Sequence, residues 1–248
     1  MALRRFFAPK GALKARNVTL GEEFGHRLGR VLRLKRGDHV ILSDAGRDFE
    51  VQITAISPHA VTAVIVGERE APAEPGVTLI LYQALIRANR FDLVLEKGAE
   101  IGVSRFVPVL TARSQVQIDE DPSLFRAERW RRIVVEAAEQ CGRGRPPVLE
   151  GPVTFEEAIR NATGLRIVPW EGGGGSAGLG AYLRGLAERP VVVSVFIGPE
   201  GGYSDEEIEL ARSAGATVVS LGQRIMRSET AGIVASAIVL EALGEMGV

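Results

Sequence analysis

The chain has 248 residues but only one cysteine, three histidines and 6% aromatics. The lone Cys141 excludes an intrachain disulfide framework and any zinc site built from several cysteines. His26, His39 and His59 are scattered without metal-ligand spacing, so no metal is expected. With so few aromatics, a long platform for stacking bases is not indicated. No apolar run approaches the roughly 18 residues of a membrane span, and the opening MALRRFFAPK lacks the apolar core of a signal peptide. The expectation is a cytoplasmic protein with no membrane contact. A Walker A loop and a GxGxxG turn are both missing, and no lysine is placed to grip a phosphate, which argues against a nucleoside triphosphate ligand.

What is present is a 46% hydrophobic chain, enough for a real core, with an uneven charge. Residues 1–36 carry ten Lys/Arg against Glu22 and Glu23, a local charge of +8. The rest holds 20 basic against 29 acidic residues. A basic end suggests a phosphate-bearing partner, and a solvated face is the plainer alternative.

Leu20 to Leu34 predicts a helix, with Phe24, Leu28, Val31 and Leu32 on one face. The period then changes to two: HVILSD (39–44), FEVQIT (49–54) and AVTAVIVG (60–67) predict closely spaced strands of a small antiparallel barrel or sheet. GEREAPAEPG (67–76) concentrates proline, glycine and charge. A domain boundary is placed there, giving 1–70 and 77–248. Beyond it strands and helices alternate: strands at 77–85, 106–110, 165–170, 191–197 and 217–222, helices near 89–101, 122–140, 179–188 and 228–243, a capped segment over 154–161, and a capped helix after the strand at 191–197. This is α/β grammar, a mostly parallel sheet covered on both faces. The last helix, IVASAIVLEAL, is apolar nearly all round and belongs inside the domain or in a subunit interface. Gly172 to Gly175 with Ser176 reads as a flexible loop, either beside a ligand or merely a connector.

Two turns stand out. VVVSVFIGPEGGYSDEEI (191–208) is a buried strand running into a glycine-rich turn, then a helix opened by Ser204 and Glu207 as a capping box. LGQRIMRSETAG (221–232) repeats the arrangement, with Ser228 placed as N-cap. Both turns lie at the carboxyl ends of strands, where open α/β sheets bind ligands. Glu200, Arg224, Arg227, Glu229 and Thr230 gather between them. The plain alternative is that Glu229 complements a helix N-terminus and Arg227 pairs with it.

IGPEGGYSDEEI and LGQRIMRSETA resemble the two C-terminal signature segments of the 16S ribosomal RNA uridine N3-methyltransferase family, of the SPOUT class. VLRLKRGD (31–38) preceded by His26, EKGAEIGVSRFVPV (96–109) and EAAEQCGRGRPP (136–147) agree in the same order and extend the resemblance over almost the whole chain. Met226 and Ser228 are mild departures that keep the character of the family's Leu and Thr.

The resemblance implies a SPOUT-type parallel sheet with a trefoil knot, a small N-terminal PUA-like β-barrel that binds RNA, and a homodimer. It also implies S-adenosylmethionine as cofactor and the 16S ribosomal RNA of the small subunit as substrate. Carried over residue by residue, it places Ile197, Gly198, Glu200, Gly201, Leu221, Gly222, Ile225, Met226, Ser228 and Thr230 around the cofactor; Trp170 and Glu171, which end another strand on the same expected edge, would border the adenosine, with a core position the equal alternative for Trp170. Arg4, Arg5, Arg16, Arg30 and Arg33 would contact phosphates, and Arg143 RNA or cofactor. Methylation at N3 needs a base or a compensating cation, because the uracil imide is protonated at neutral pH. Arg227 is the first candidate for the cation, and Glu229 or Glu200 for the proton acceptor. Cys141 ends a helix, and a packing role suits it better than the thiolate that C5 methylation commonly needs. The competing reading is a non-catalytic RNA-binding or ribosome-assembly factor.

Overall fold

The computed structural model describes residues 3–44, 46–114, 122–172 and 176–247. They form two compact units: Met1–Glu74 with Ala138–Pro146, and Pro75–Ala137 with Pro147–Val248. The single break expected at 67–76 does not anticipate the return of Ala138–Pro146 to the first unit. Nor is 67–70 a linker, since those residues end a strand.

In the first unit, β1 (Arg5–Phe7), β2 (Asn17–Leu20), β3 (His39–Asp44), β4 (Arg47–Ile56) and β5 (Val61–Glu70) form a five-stranded sheet in the order β1-β3-β4-β5-β2. β1 runs parallel to β3, and the other pairs are antiparallel. Alternate residues such as Val40, Leu42, Val51, Ile53, Val61 and Ala63 point into one apolar core with Phe6, Val18 and Leu20. The predicted helix over 20–34 is replaced by a short α1 (Glu22–Phe24) that passes into a π-helix over Gly25–Val31. The Leu32 amide bonds to the Arg27 carbonyl five residues back (3.0 Å). This wider winding turns Val31 out of the row of Phe24 and Leu28, leaving it 61% exposed. Gly25 is needed where the winding meets the next turn, because a Cβ there would sit 2.5 Å from the Ser57 carbonyl oxygen.

The returning segment is tied into this unit by charge. Glu139 accepts from the Phe7 amide (2.9 Å) and pairs with Arg27, and Arg143 pairs with Glu74. Arg5 donates to the Arg143 carbonyl (3.1 Å) and pairs with Asp48, which is fully buried and also accepts from Ser43 Oγ (2.6 Å).

The second unit runs β6 (Thr78–Ala84), α2 (Ala88–Ile101), β7 (Arg105–Leu110), α3 (Pro122–Cys141), β8 (Val148–Leu149), β9 (Val153–Thr154), α4 (Phe155–Asn161), β10 (Leu165–Pro169), α5 (Leu179–Arg184), β11 (Val192–Ile197), α6 (Asp205–Ser213), β12 (Thr217–Val219) and α7 (Ser228–Ala242). Its seven-stranded sheet has the order β12-β10-β11-β6-β7-β8, with β9 on β7, and every pairing is parallel. A parallel sheet of this kind must be covered on both sides, and β11 shows how. Val193, Val195 and Ile197 enter the core beneath α2, α5 and α7, while Val192 and Phe196 enter the opposite core with Phe155, Ile159 and Ile208. The glycine loop expected at 172–176 falls largely on 173–175, outside the described residues.

Candidate active site

The order β12-β10-β11-β6 sets four strand ends side by side, so the segments that follow them meet although they are far apart in sequence. They enclose a cavity of about 350 Å³. β11 contributes Ile197 through Glu200 with Gly202 and Tyr203, β10 contributes Trp170 and Glu171, and the segment after β12 contributes Ser220 to Ser228 except Gln223. Arg90, near the start of α2 after β6, completes the wall.

The first turn is shaped by glycine. Gly202 has φ +69°, and its amide closes the turn onto the Pro199 carbonyl (3.0 Å). A Cβ on Gly198 would lie 3.2 Å from the ring of Tyr203, which is buried directly behind it. Burial, with Glu207 nearby as the smaller cause, holds the Tyr203 phenol well above its ordinary range, so this part of the wall is neutral. Ser204 and Glu207 form the expected capping box, and Glu207 also accepts from the Ala112 amide (2.8 Å).

The second turn departs from expectation. The N-cap of α7 is Arg227, and Ser228 is the first helical residue. The Ser228 hydroxyl, freed from capping, accepts from Gln83 Nε2 (2.9 Å) and donates to the Gly198 carbonyl. One buried serine thus fastens the second turn to the first and both to β6. Gly222 has φ +116°, and its amide bonds to Ser220 Oγ (3.0 Å). Among the described residues, the amides of 221 and 223–227 have no hydrogen-bond partner within the chain. They are donors available to a ligand.

The charged groups are arranged otherwise than the sequence suggests. Arg227 does not pair with Glu229: it is exposed at the cavity wall and has no ion pair among the described residues. Glu229 is buried, and Glu200 lines the cavity. Arg90, which sequence reasoning missed, lies 3.3 Å from Glu200 and 3.6 Å from Glu229. Gln83 was also missed. Nothing in the local pattern marks either residue, because their partners are more than a hundred residues away.

Of the residues assigned to the cofactor, Trp170, Glu171, Ile197, Gly198, Glu200, Leu221, Gly222, Ile225, Met226 and Ser228 line the cavity. Gly201, Thr230 and Glu229 are not among its lining residues. Gly201 instead receives Arg113 on its carbonyl (3.1 Å). Arg5 and Arg143 are engaged inside the first unit, with side chains 8% and 10% exposed. Arg4, Arg16, Arg30 and Arg33 are exposed. Cys141 is exposed rather than packed, and it belongs to the first unit.

A parallel α/β unit with a backbone-lined cavity at its carboxyl edge, joined to a small β unit, is the arrangement of an RNA methyltransferase. The chain belongs to that family: residues 73–240 match its RNA methyltransferase domain and residues 21–66 the PUA domain of RNA methyltransferases. Among its relatives is the ribosomal RNA small subunit methyltransferase E of Synechocystis, 36% identical over 96% of this chain and 77% of the relative. The Bacillus subtilis protein of the same name is 27% identical over 87% and 86%. A Legionella pneumophila protein solved with the cofactor SAM bound superposes with a TM-score of 0.90 at 31% identity, covering 98% of both chains. The ribosomal RNA small subunit methyltransferase E of Neisseria gonorrhoeae, solved with S-adenosyl methionine, gives 0.86 at 27% identity over 97% and 98%.

Proposed function

We propose that this chain binds S-adenosylmethionine in the cavity and methylates N3 of a uridine in the 16S ribosomal RNA of the small subunit. The observation that carries the reading is the pair of strand-end turns sharing one cavity, with the uncompensated Arg227 at its wall. The lining suits the cofactor. Ile197, Leu221, Ile225 and Met226 are apolar surface for a purine, the unpartnered amides of 223–227 are donors for its edge and ribose, and Glu171 and Glu200 bring negative charge for a cationic ligand. Ile225, 85% exposed, has the most apolar surface to gain from such a ligand.

S-adenosylmethionine supplies an electrophilic methyl carbon, so the chain's tasks are alignment and removal of the imide proton. A carboxylate, Glu200 or Glu229, accepts the N3 proton. Arg227 sets its guanidinium against the negative charge that spreads onto the uracil oxygens. The exposed Arg4, Arg16, Arg30 and Arg33 give the first unit salt-dependent affinity for RNA phosphates. The target base must leave its stack to be reached.

The family's trefoil knot belongs to this proposal. It is supported by the way residues 219–220 are clasped from both sides: the Trp170 amide bonds to the Val219 carbonyl (3.0 Å), and the Leu179 amide to the Ser220 carbonyl (2.9 Å). A homodimer is supported by α7, where Ile233, Val234, Ala237 and Ile238 remain half-buried in the single chain. Work on ribosomal RNA puts the protein in the cytoplasm. No described helix is long and apolar enough to cross a membrane.

The test is methyl transfer to small subunits, and to free 16S ribosomal RNA, from a strain lacking the protein, followed by mass mapping. N3-methyluridine at one position is expected. RNA binding indifferent to S-adenosylmethionine, with no methyl incorporated, would make the protein a non-catalytic assembly factor.

A further inference from the structure

One cation at the cavity serves two carboxylates. Arg90 faces Glu200 with Nη1 (3.3 Å) and Glu229 with Nε (3.6 Å). The two acids are not equivalent. Glu200 lines the cavity with its side chain 21% exposed, whereas the Glu229 side chain is 9% exposed, is not among the lining residues and has an Oε2 without a hydrogen-bond partner among the described residues. Removing a carboxylate from water is costly unless a cation or aligned amides compensate it. For Glu229 those are Arg90 and the amino end of α7, whose first turn it occupies. The two acids also belong to different turns, so the arginine links the segment after β11 to the segment after β12.

We propose that Arg90 is a positioning residue: anchored by Glu229, it holds Glu200 at the cavity wall, so Glu200 is the carboxylate that meets the reacting groups and Glu229 acts only through Arg90. The assignment of Glu200 to the proton rests on the methyl-transfer reading above. The clamp itself does not. An arginine is needed because Nε and Nη1 are separate donors in a fixed fork and here each faces a different acid, whereas lysine offers a single point charge.

Double-mutant cycles test this, first without any ligand. Denaturant midpoints of Arg90→Ala, Glu200→Gln, Glu229→Gln and the two Arg90 doubles should be non-additive in both cycles. Additive midpoints in either cycle overturn the clamp. Should the buried Glu229→Gln fail to fold, the Arg90–Glu200 cycle decides alone. In turnover, Arg90→Ala should lower kcat/KM by roughly 100-fold, mostly in kcat, as expected for a misplaced reacting group. Arg90→Lys should recover only part of that. Glu200→Gln should lower kcat with KM little changed, and Glu229→Gln should add nothing once Arg90 is alanine. A full loss from Glu229→Gln in the Arg90→Ala background would make Glu229 the reacting acid and sink the assignment. If the wild type transfers no methyl group, coupled midpoints still uphold the clamp and the functional reading alone falls.

Discussion

Arg227 is the most informative single residue of the proposed site, because it is at the cavity wall, exposed and, among the described residues, without an ion pair. If its charge offsets the anion that develops on the uracil, Arg227→Ala should lower kcat by about 100-fold or more while calorimetry gives nearly unchanged affinity for S-adenosylmethionine. Equal losses of both would make it a cofactor-pocket residue. A second prediction concerns phenols. Tyr203, by burial and then Glu207, and Tyr82, by burial and then Glu150, are both raised above their ordinary values. The unfolded chain releases those protons near pH 10, the folded chain only above it, so unfolding draws the protons off and stability falls as pH rises past about 10. The ultraviolet phenolate signal of these two tyrosines should therefore appear together with the loss of native circular dichroism. A smooth titration ahead of unfolding would contradict this.

Among the elements, those with a strong local period were legible in the sequence and those decided by distant partners were not. β11 and the capping boxes of α4 and α6 were readable because a β-branched run and an S/T-x-x-E spacing act within a few residues. β1 and β2, three and four residues long, were too short to show alternation. The π-helix over Gly25–Val31 defeated a periodicity argument, since its apolar positions mimic an α-helical face. Ser228 was misread for a related reason: serine before a helix usually caps it, but here Gln83 and Gly198 claim the hydroxyl. In the site, the turns were legible, and the counter-charge was not, because Arg90 is some 110 residues from Glu200. The α6 cap yields a prediction. Ser204→Ala removes one cap bond and should cost about 1 kcal/mol. Glu207→Ala also strands the Ser204 and Ala112 amides and should cost more, about 2–3 kcal/mol by urea unfolding.

For the molecule as a whole, assembly and charge are the properties that follow. The half-buried apolar face of α7 predicts a dimer by sedimentation equilibrium, and Val234→Asp, at a position outside the core cluster, should shift it toward monomer without loss of helix content. A wild type that sediments as a monomer would remove this argument. The first unit includes a nine-residue stretch delivered late: Ala138–Pro146 brings Glu139 to Arg27 and Phe7, and Arg143 to Glu74 and Arg5. On the ribosome this sets an order of events. The amino-terminal sheet can pair once its own strands have emerged, but its ties to Ala138–Pro146 must wait until Pro146 has cleared the exit tunnel, when β6, α2 and β7 are already out and β10, β11 and β12 have not yet emerged. Synthesis therefore interleaves the two units. A nonsense codon anywhere between 75 and 137 would leave both of them incomplete, the first without Ala138–Pro146 and the second without Pro147–Val248.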